Sequence, residues 1–217
     1  MAITKRVIGS ALVLGALLAG CKGDDQLVVD RGVGITRTLS TCPDVGIPAY
    51  TGDVTLFNPR DSRDASAIDI VANVSNLRST CTEGPEKLYT EATFDITATR
   101  RDAGAARTVR LPYFSTVLRG GSAVISKRIG AVTLQFAEGE TRASATGKAG
   151  AYVDRATATL PEDIQELITA RRQDGDTSAA IDPLSRPEVQ AAIQRATFEV
   201  LIGFQLTPDQ LQYNATR

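Results

Sequence analysis

The chain has 217 residues, 24 of them basic and 25 acidic, for a net charge of −1. It contains no histidine, which excludes the Ser-His-Asp triad, the Cys-His pair and the commonest zinc ligand, while carboxylate or lysine chemistry stays open for catalysis. Nothing in the near-neutral balance suggests the clustered basic excess that a nucleic-acid binder carries.

Lys5 and Arg6 precede an apolar run over residues 7–18, and no charge interrupts the chain before Cys21. A run of about a dozen residues suits the core of a signal peptide and is short for a bilayer-spanning helix. Leu18-Ala19-Gly20-Cys21 closes it. The bland alternative is a buried N-terminal helix followed by an ordinary cysteine. The order of charge, apolar run, small residues and cysteine resembles the lipobox signal peptide of bacterial lipoproteins. That resemblance covers residues 1–21. It implies diacylglycerol transfer to the Cys21 thiol, cleavage between Gly20 and Cys21, and acylation of the new amino terminus. Two or more acyl chains anchor stably where one is marginal. Lys22 in place of Asp implies, on the enterobacterial pattern, the periplasmic face of the outer membrane in preference to the inner membrane. The mature chain would keep 197 residues, 22 basic and 25 acidic. That is enough for one good-sized domain or a domain with an appendage. No second apolar stretch approaches spanning length, so the membrane contact expected is the lipid on Cys21 alone.

Residues 22–40 read as a polar, glycine-containing tether, with residues 27–29 able to pair as a strand. Cys42 and Cys81 then form an even pair, 39 positions apart, in a compartment where disulfides persist. A bridge is expected, worth about 4 kcal/mol by loop entropy. The alternatives are two free thiols or a metal site, which, with Cys21 assigned to lipid, no other cysteine or histidine could complete.

From residue 41 the apolar pattern has period two. Val54 and Leu56 alternate with polar neighbours until Asn58-Pro59. Ile68, Ile70, Ala72 and Val74 share a face, as do Ala92, Phe94, Ile96 and Ala98. Such alternation gives one buried and one wet face, as in antiparallel sheets. Val109, Leu111 and Tyr113 continue it, with Pro112 arguing for an edge strand or a bulge. Arg100-Arg101-Asp102 with Gly104, and Glu138-Gly139-Glu140, read as hairpin turns, and Gly120-Gly121 as a third turn. Runs over residues 123–129, 132–136, 141–146 and 151–159 complete seven or eight short strands. The fold class expected is mainly β, an antiparallel β-sandwich resembling immunoglobulin-like or fibronectin-like domains, with a C-terminal α-helical appendage.

The helical signals come last. Pro161 opens a segment with Glu162 and Asp163 in its first turn and Ile164, Leu167 and Ile168 on one face. Residues 173–178 read as a loop. Ser185-Arg186-Pro187-Glu188 matches a capping box ahead of Val189, Ala192, Ile193 and Ala196. Residues 197–206 fit either period, and the upstream stripe favours helix through Ile202. Thr207-Pro208-Asp209-Gln210 begins a final short helix. The organisation expected is a signal peptide over residues 1–20, a lipidated tether over 21–40, a sandwich over 41–159 and a helical appendage over 160–217.

No nucleophile elbow, phosphate loop or zinc-protease motif occurs, so neither a catalytic residue nor a metal or cofactor is assigned. Asp61, Arg63 and Asp64 form a solvated loop or, less simply, a calcium loop without the EF-hand pattern. Arg107, Arg110, Arg119, Lys127 and Arg128 form either the wet side of a sheet or a positive strip facing phospholipid head groups or anionic glycan. Asn73-Val74-Ser75 and Asn214-Ala215-Thr216 match the glycosylation pattern by coincidence, given the lipobox upstream. Phe198, Leu201, Ile202, Phe204 and Leu206 are a partner surface if exposed and core if packed on the sandwich. The function expected is that of a non-catalytic envelope adaptor with an envelope protein as partner. The alternative is a carrier of a lipid or small hydrophobic ligand.

Overall fold

The structure is a computed structural model that describes residues 40–170 and 182–217. The signal peptide, Gly20, Cys21, the tether over residues 21–39 and the loop at residues 173–178 lie outside the described residues.

Eight strands form two four-stranded sheets. They are β1 (Asp44–Gly46), β2 (Asp53–Phe57), β3 (Ile68–Glu83), β4 (Lys87–Arg100), β5 (Arg107–Arg119), β6 (Ala123–Phe136), β7 (Arg142–Asp154) and β8 (Phe198–Phe204). One sheet runs β1-β8-β5-β6 and the other β2-β3-β4-β7. All pairings are antiparallel except β1 with β8. Four short helices follow β7: α1 (Arg155–Ala158), α2 (Glu162–Thr169), α3 (Pro187–Ala196) and, after β8, α4 (Pro208–Thr216). The architecture is a mainly β, sandwich-like pair of sheets whose edges approach at β6 and β7.

Alternation explains the core. Leu88, Ala92, Phe94, Ile96 and Ala98 of β4 are buried, while Thr97 and Thr99 between them face water. Ala92, Phe94, Ile96 and Ala98 meet Val132, Leu134 and Phe136 of β6 and Ile202 and Phe204 of β8 in one cluster. A second cluster, toward the end where the chain enters at Ser40, joins Leu88, Val117, Val153, Ala158, Phe198 and Val200. The Phe94 ring occupies the space that a Cβ at Gly147 of β7 would need, so β7 carries glycine there. The Tyr113 hydroxyl donates to the Lys148 carbonyl at 2.6 Å and ties β5 to β7; burial pushes the phenol's pKa up.

Several expectations are corrected. Residues 198–204 are strand, not helix. α3 stops at Ala196 because Thr197 turns to extended backbone and donates both its N–H and its hydroxyl to the Ile193 carbonyl. β8 then fills the slot between β1 and β5, and its period-two set Phe198, Val200, Ile202 and Phe204 is buried. Pairing in the sheet outweighs the helical signal carried in from upstream. The segment expected as a helical appendage therefore contributes an interior strand.

The runs over residues 123–129 and 132–136 are one strand, β6. Those at 141–146 and 151–154 are likewise one strand, β7, after which Asp154 caps α1 by accepting from the Thr157 N–H and hydroxyl. Pro112 lies in an interior strand. Its carbonyl accepts from the Gln205 N–H just beyond the last β8 partner, so its missing N–H falls where β8 has already ended.

The turns at residues 101–106 and 137–141 are not hairpins. Each crosses from one sheet to the other, so that β4 pairs with β7 while β5 pairs with β6. Ser185 makes no capping box; its hydroxyl donates to the Asp182 carbonyl, and α3 starts at Arg186-Pro187 without a side-chain cap. The box at Thr207 and Gln210 is complete.

Candidate functional site

Among the described residues a concave feature lies at the Ser40 end, where the helices close over the second core cluster. Asp154 caps α1, and Ala158 at the end of that helix packs against Phe198. Pro161 starts α2, whose apolar residues Ile164, Leu167 and Ile168 are only half-covered; no residue of α2 is fully buried. α3 buries Val189 and Ala192 and leaves Ile193 and Ala196 beside the start of β8. The result is a half-open groove of about 860 Å³. Phe198, Ala158 and Ile193 form its floor, and Leu160, Ile168 and Leu184 its walls.

The rim is polar. Asp44, Arg155 and Gln165 supply polar side chains to the lining. Arg155 is fixed at three points: its N–H donates to the Glu86 carbonyl at 2.9 Å, its guanidinium to the Gly84 carbonyl at 3.0 Å, and the same group pairs with Glu83 at 3.5 Å. Cys42 also lines the groove. Its bridge to Cys81, with Cα atoms 6.1 Å apart, ties the segment that leads into β1 to β3 of the other sheet. The expected disulfide is present, and it holds the two sheets together at the groove.

The expected site residues are divided by the fold. Phe198 contributes to the groove floor. Ile202 and Phe204 point into the core at 0% and 1% exposure, and Leu201 and Leu206 are half-buried, so these residues do not form a partner surface. The alternation that made Phe198, Ile202 and Phe204 strand also turned them inward, while Leu201 takes the opposite face and Leu206 lies beyond the strand. Asp64 takes a hydrogen bond from the Ser62 hydroxyl, and Arg63 pairs with Asp209 at 3.5 Å. Among the described residues no three Asp, Glu, Cys or His side chains come together as metal ligands.

Two carboxylates are held below the usual range, both by hydrogen bonds. Asp95 accepts from the Asn76 amide and the Thr146 hydroxyl, and Asp154 accepts from Thr157. Each has a structural use. The apolar floor and the polar rim suit binding of an apolar group by burial, with orientation supplied at the rim.

Sequence reasoning found the amphipathic helices that wall the groove but not the groove itself. Residues from β1, α1, α2, α3 and β8 meet there only once β8 is threaded into the sheet. Reasoning from sequence also missed two buried polar anchors. Arg100, 5% exposed, lies inside the sandwich, and Asn214, 6% exposed, holds α4 down by donating to the Tyr50 and Asp53 carbonyls. Its burial gives the Asn214 sequon a structural explanation.

No protein-family model matches the chain, and no curated protein sequence does. Among solved structures, the chain is similar to a DUF1425 family member from Shewanella sp. pv-4. That similarity spans 50% of this chain and 94% of the other, at 15% identity and a TM-score of 0.23.

Proposed function

We propose that the chain is a cell-envelope lipoprotein, anchored by lipid on Cys21 at the periplasmic face of the outer membrane, whose sandwich serves as a non-catalytic adaptor. The order of Lys5, Arg6, the apolar run and Leu18-Ala19-Gly20-Cys21 supports the anchor. The observation that carries the adaptor reading is the groove between α1, α2, α3 and β8. It opens at the end from which the tether would leave, and it suits an apolar segment of an envelope protein held close to the membrane. The immunoglobulin-like kinship is a finer matter. A bridge between the sheets and a parallel edge pair support it, whereas the chain has no tryptophan to pack on that bridge as antibody domains do.

A second reading has its own support. A volume of about 860 Å³ falls in the range of small-ligand sites, so the same groove suits a lipid or small hydrophobic ligand. Two measurements separate the possibilities. Metabolic labelling with a palmitate analogue is expected on the wild type and lost in Cys21→Ala; labelling that persists overturns the anchor. Affinity capture of the native lipoprotein is expected to retain an envelope protein that Ile193→Arg releases. A lipid of defined mass retained by the wild type and lost from Ile193→Arg favours the carrier.

A further inference from the structure

The charge of this molecule is unevenly placed. β5 and β6 together carry Arg107, Arg110, Arg119, Lys127 and Arg128 and no acidic residue, in a chain whose net charge is −1. Arg107 is paired with Asp69 at 2.8 Å. Among the described residues none of the other four has a carboxylate partner. Arg119 and Lys127 rest instead over the rings of Phe198 and Phe114, at 5.7 and 5.1 Å.

The same hairpin holds the most exposed large aliphatic side chains of the described residues. Val124, Ile125 and Ile129 are 63%, 56% and 57% exposed, and residues 123–129 are open to water on both faces. The tip is held in place. The Gly120 N–H donates to the Thr197 carbonyl at 3.0 Å and Arg119 donates to the Arg195 carbonyl at 2.6 Å, so α3 braces the turn. Register places this turn at the Ser40 end: Arg119 pairs with Phe198 at the start of β8, and Asp44 pairs with the next residue, Glu199.

We propose that the β5–β6 hairpin is a second membrane contact, in which Val124 and Ile125 enter the interface of an anionic phospholipid bilayer while Lys127 and Arg128 bind its phosphates. The orientation rests on the lipid anchor proposed above, since a tether leaving at Ser40 turns this end toward the membrane. The order along the strand fits the bilayer profile. Arg128 stands three positions beyond Ile125, about 10 Å at strand rise. That is roughly the depth to which an interfacial apolar face sinks below the head groups. Basic residues beside such a face add attraction to anionic lipid.

An added protein strand fits this edge less well. Ile125 sits in a bulge opposite Val117 and Leu118, and lysine follows; bulges and charge both blunt a strand edge against pairing.

The absence of tryptophan from the chain supplies the test. The full-length protein is prepared with a single tryptophan as Ile125→Trp, with Val124→Trp as a second probe should the first fold poorly. Thr97→Trp, on the outer face of the other sheet, is the control. Each is mixed with phosphatidylglycerol–phosphatidylethanolamine vesicles carrying brominated acyl chains. The expected result is strong quenching and a blue shift at position 125 and none at position 97. The effect at 125 should weaken when Lys127→Glu and Arg128→Glu are added. An unquenched probe at 125 or 124 in a folded protein overturns the hairpin contact, and so does equal quenching at 97. Intact mass reports lipid on Cys21 separately, so failure of the anchor is read independently of failure of the hairpin.

Discussion

Arg100 shows how much one side chain contributes to this sandwich. Its guanidinium donates to the Gly104 and Ala105 carbonyls at 3.0 and 2.8 Å and to the Ala137 and Glu140 carbonyls at 3.1 and 2.7 Å. The first pair belongs to the turn leading from β4 to β5, the second to the turn from β6 to β7. Both of these connections cross between the sheets. The ring of Phe136 lies beneath the same group at 5.3 Å. A planar fork with five donors can span both turns, which a single ammonium cannot. Arg100→Ala would leave four carbonyls without this donor and is expected to cost about 3 kcal/mol, visible as a lower denaturation midpoint. Arg100→Lys should recover less than half of that. Arg101→Ala, at an exposed neighbour, should change stability by less than about 0.5 kcal/mol.

At the level of elements, Asp95 fastens three strands. It stands on β4, takes the Asn76 amide from β3 at 2.8 Å and takes the Thr146 hydroxyl from β7 at 2.9 Å. Asn76 reaches it because the register shifts between Ser75 and Arg78, and Asn76 itself adopts a φ of 51°. These bonds hold the carboxyl below its ordinary value of 3.8. A depressed folded-state pKa stabilises fully above the ordinary value, and that stability is lost as pH falls through the depressed one. Asp95→Asn is therefore expected to lower stability at neutral pH and to flatten the acid limb below about pH 4. Denaturation at stepped pH reads both; an unchanged acid limb would count against the fastening role.

The strands that hold Asp95 were legible because alternation is a local signal. β2 and β4 stand within a few residues of where their periodicity puts them. β8 was not legible from its own residues, since Phe198 to Phe204 satisfy strand and helix periods over so short a run. Its identity comes from the empty slot between β1 and β5, a property of distant segments. The crossing turns were misread for the same reason. A glycine-bearing turn looks alike whether the next strand returns to the same sheet or passes to the other. The groove followed β8 out of reach, because five elements must be in place before its floor exists.

At the scale of the whole molecule, the bridge between Cys42 and Cys81 decides how the sandwich hangs from its tether. β1 is an edge strand of three residues held by one neighbour, β8. By itself it is a weak attachment. The bridge passes any pull on the segment before Asp44 directly to β3, a strand of 16 residues paired along its length with β4. It also closes a loop of 39 positions, which loop entropy values at about 4 kcal/mol. Reduction, or Cys42→Ser with Cys81→Ser, is expected to lower stability by up to that amount. The loss should be unequally distributed. Amide exchange at Val45 and around the groove should accelerate first, while Phe94 and Ile96 in the central strand β4 keep their protection. If exchange rises uniformly instead, the bridge stabilises the whole sandwich and has no special hold on the tether end. The unequal pattern would mean that β1, the groove and the point of attachment form one unit fastened by this bond.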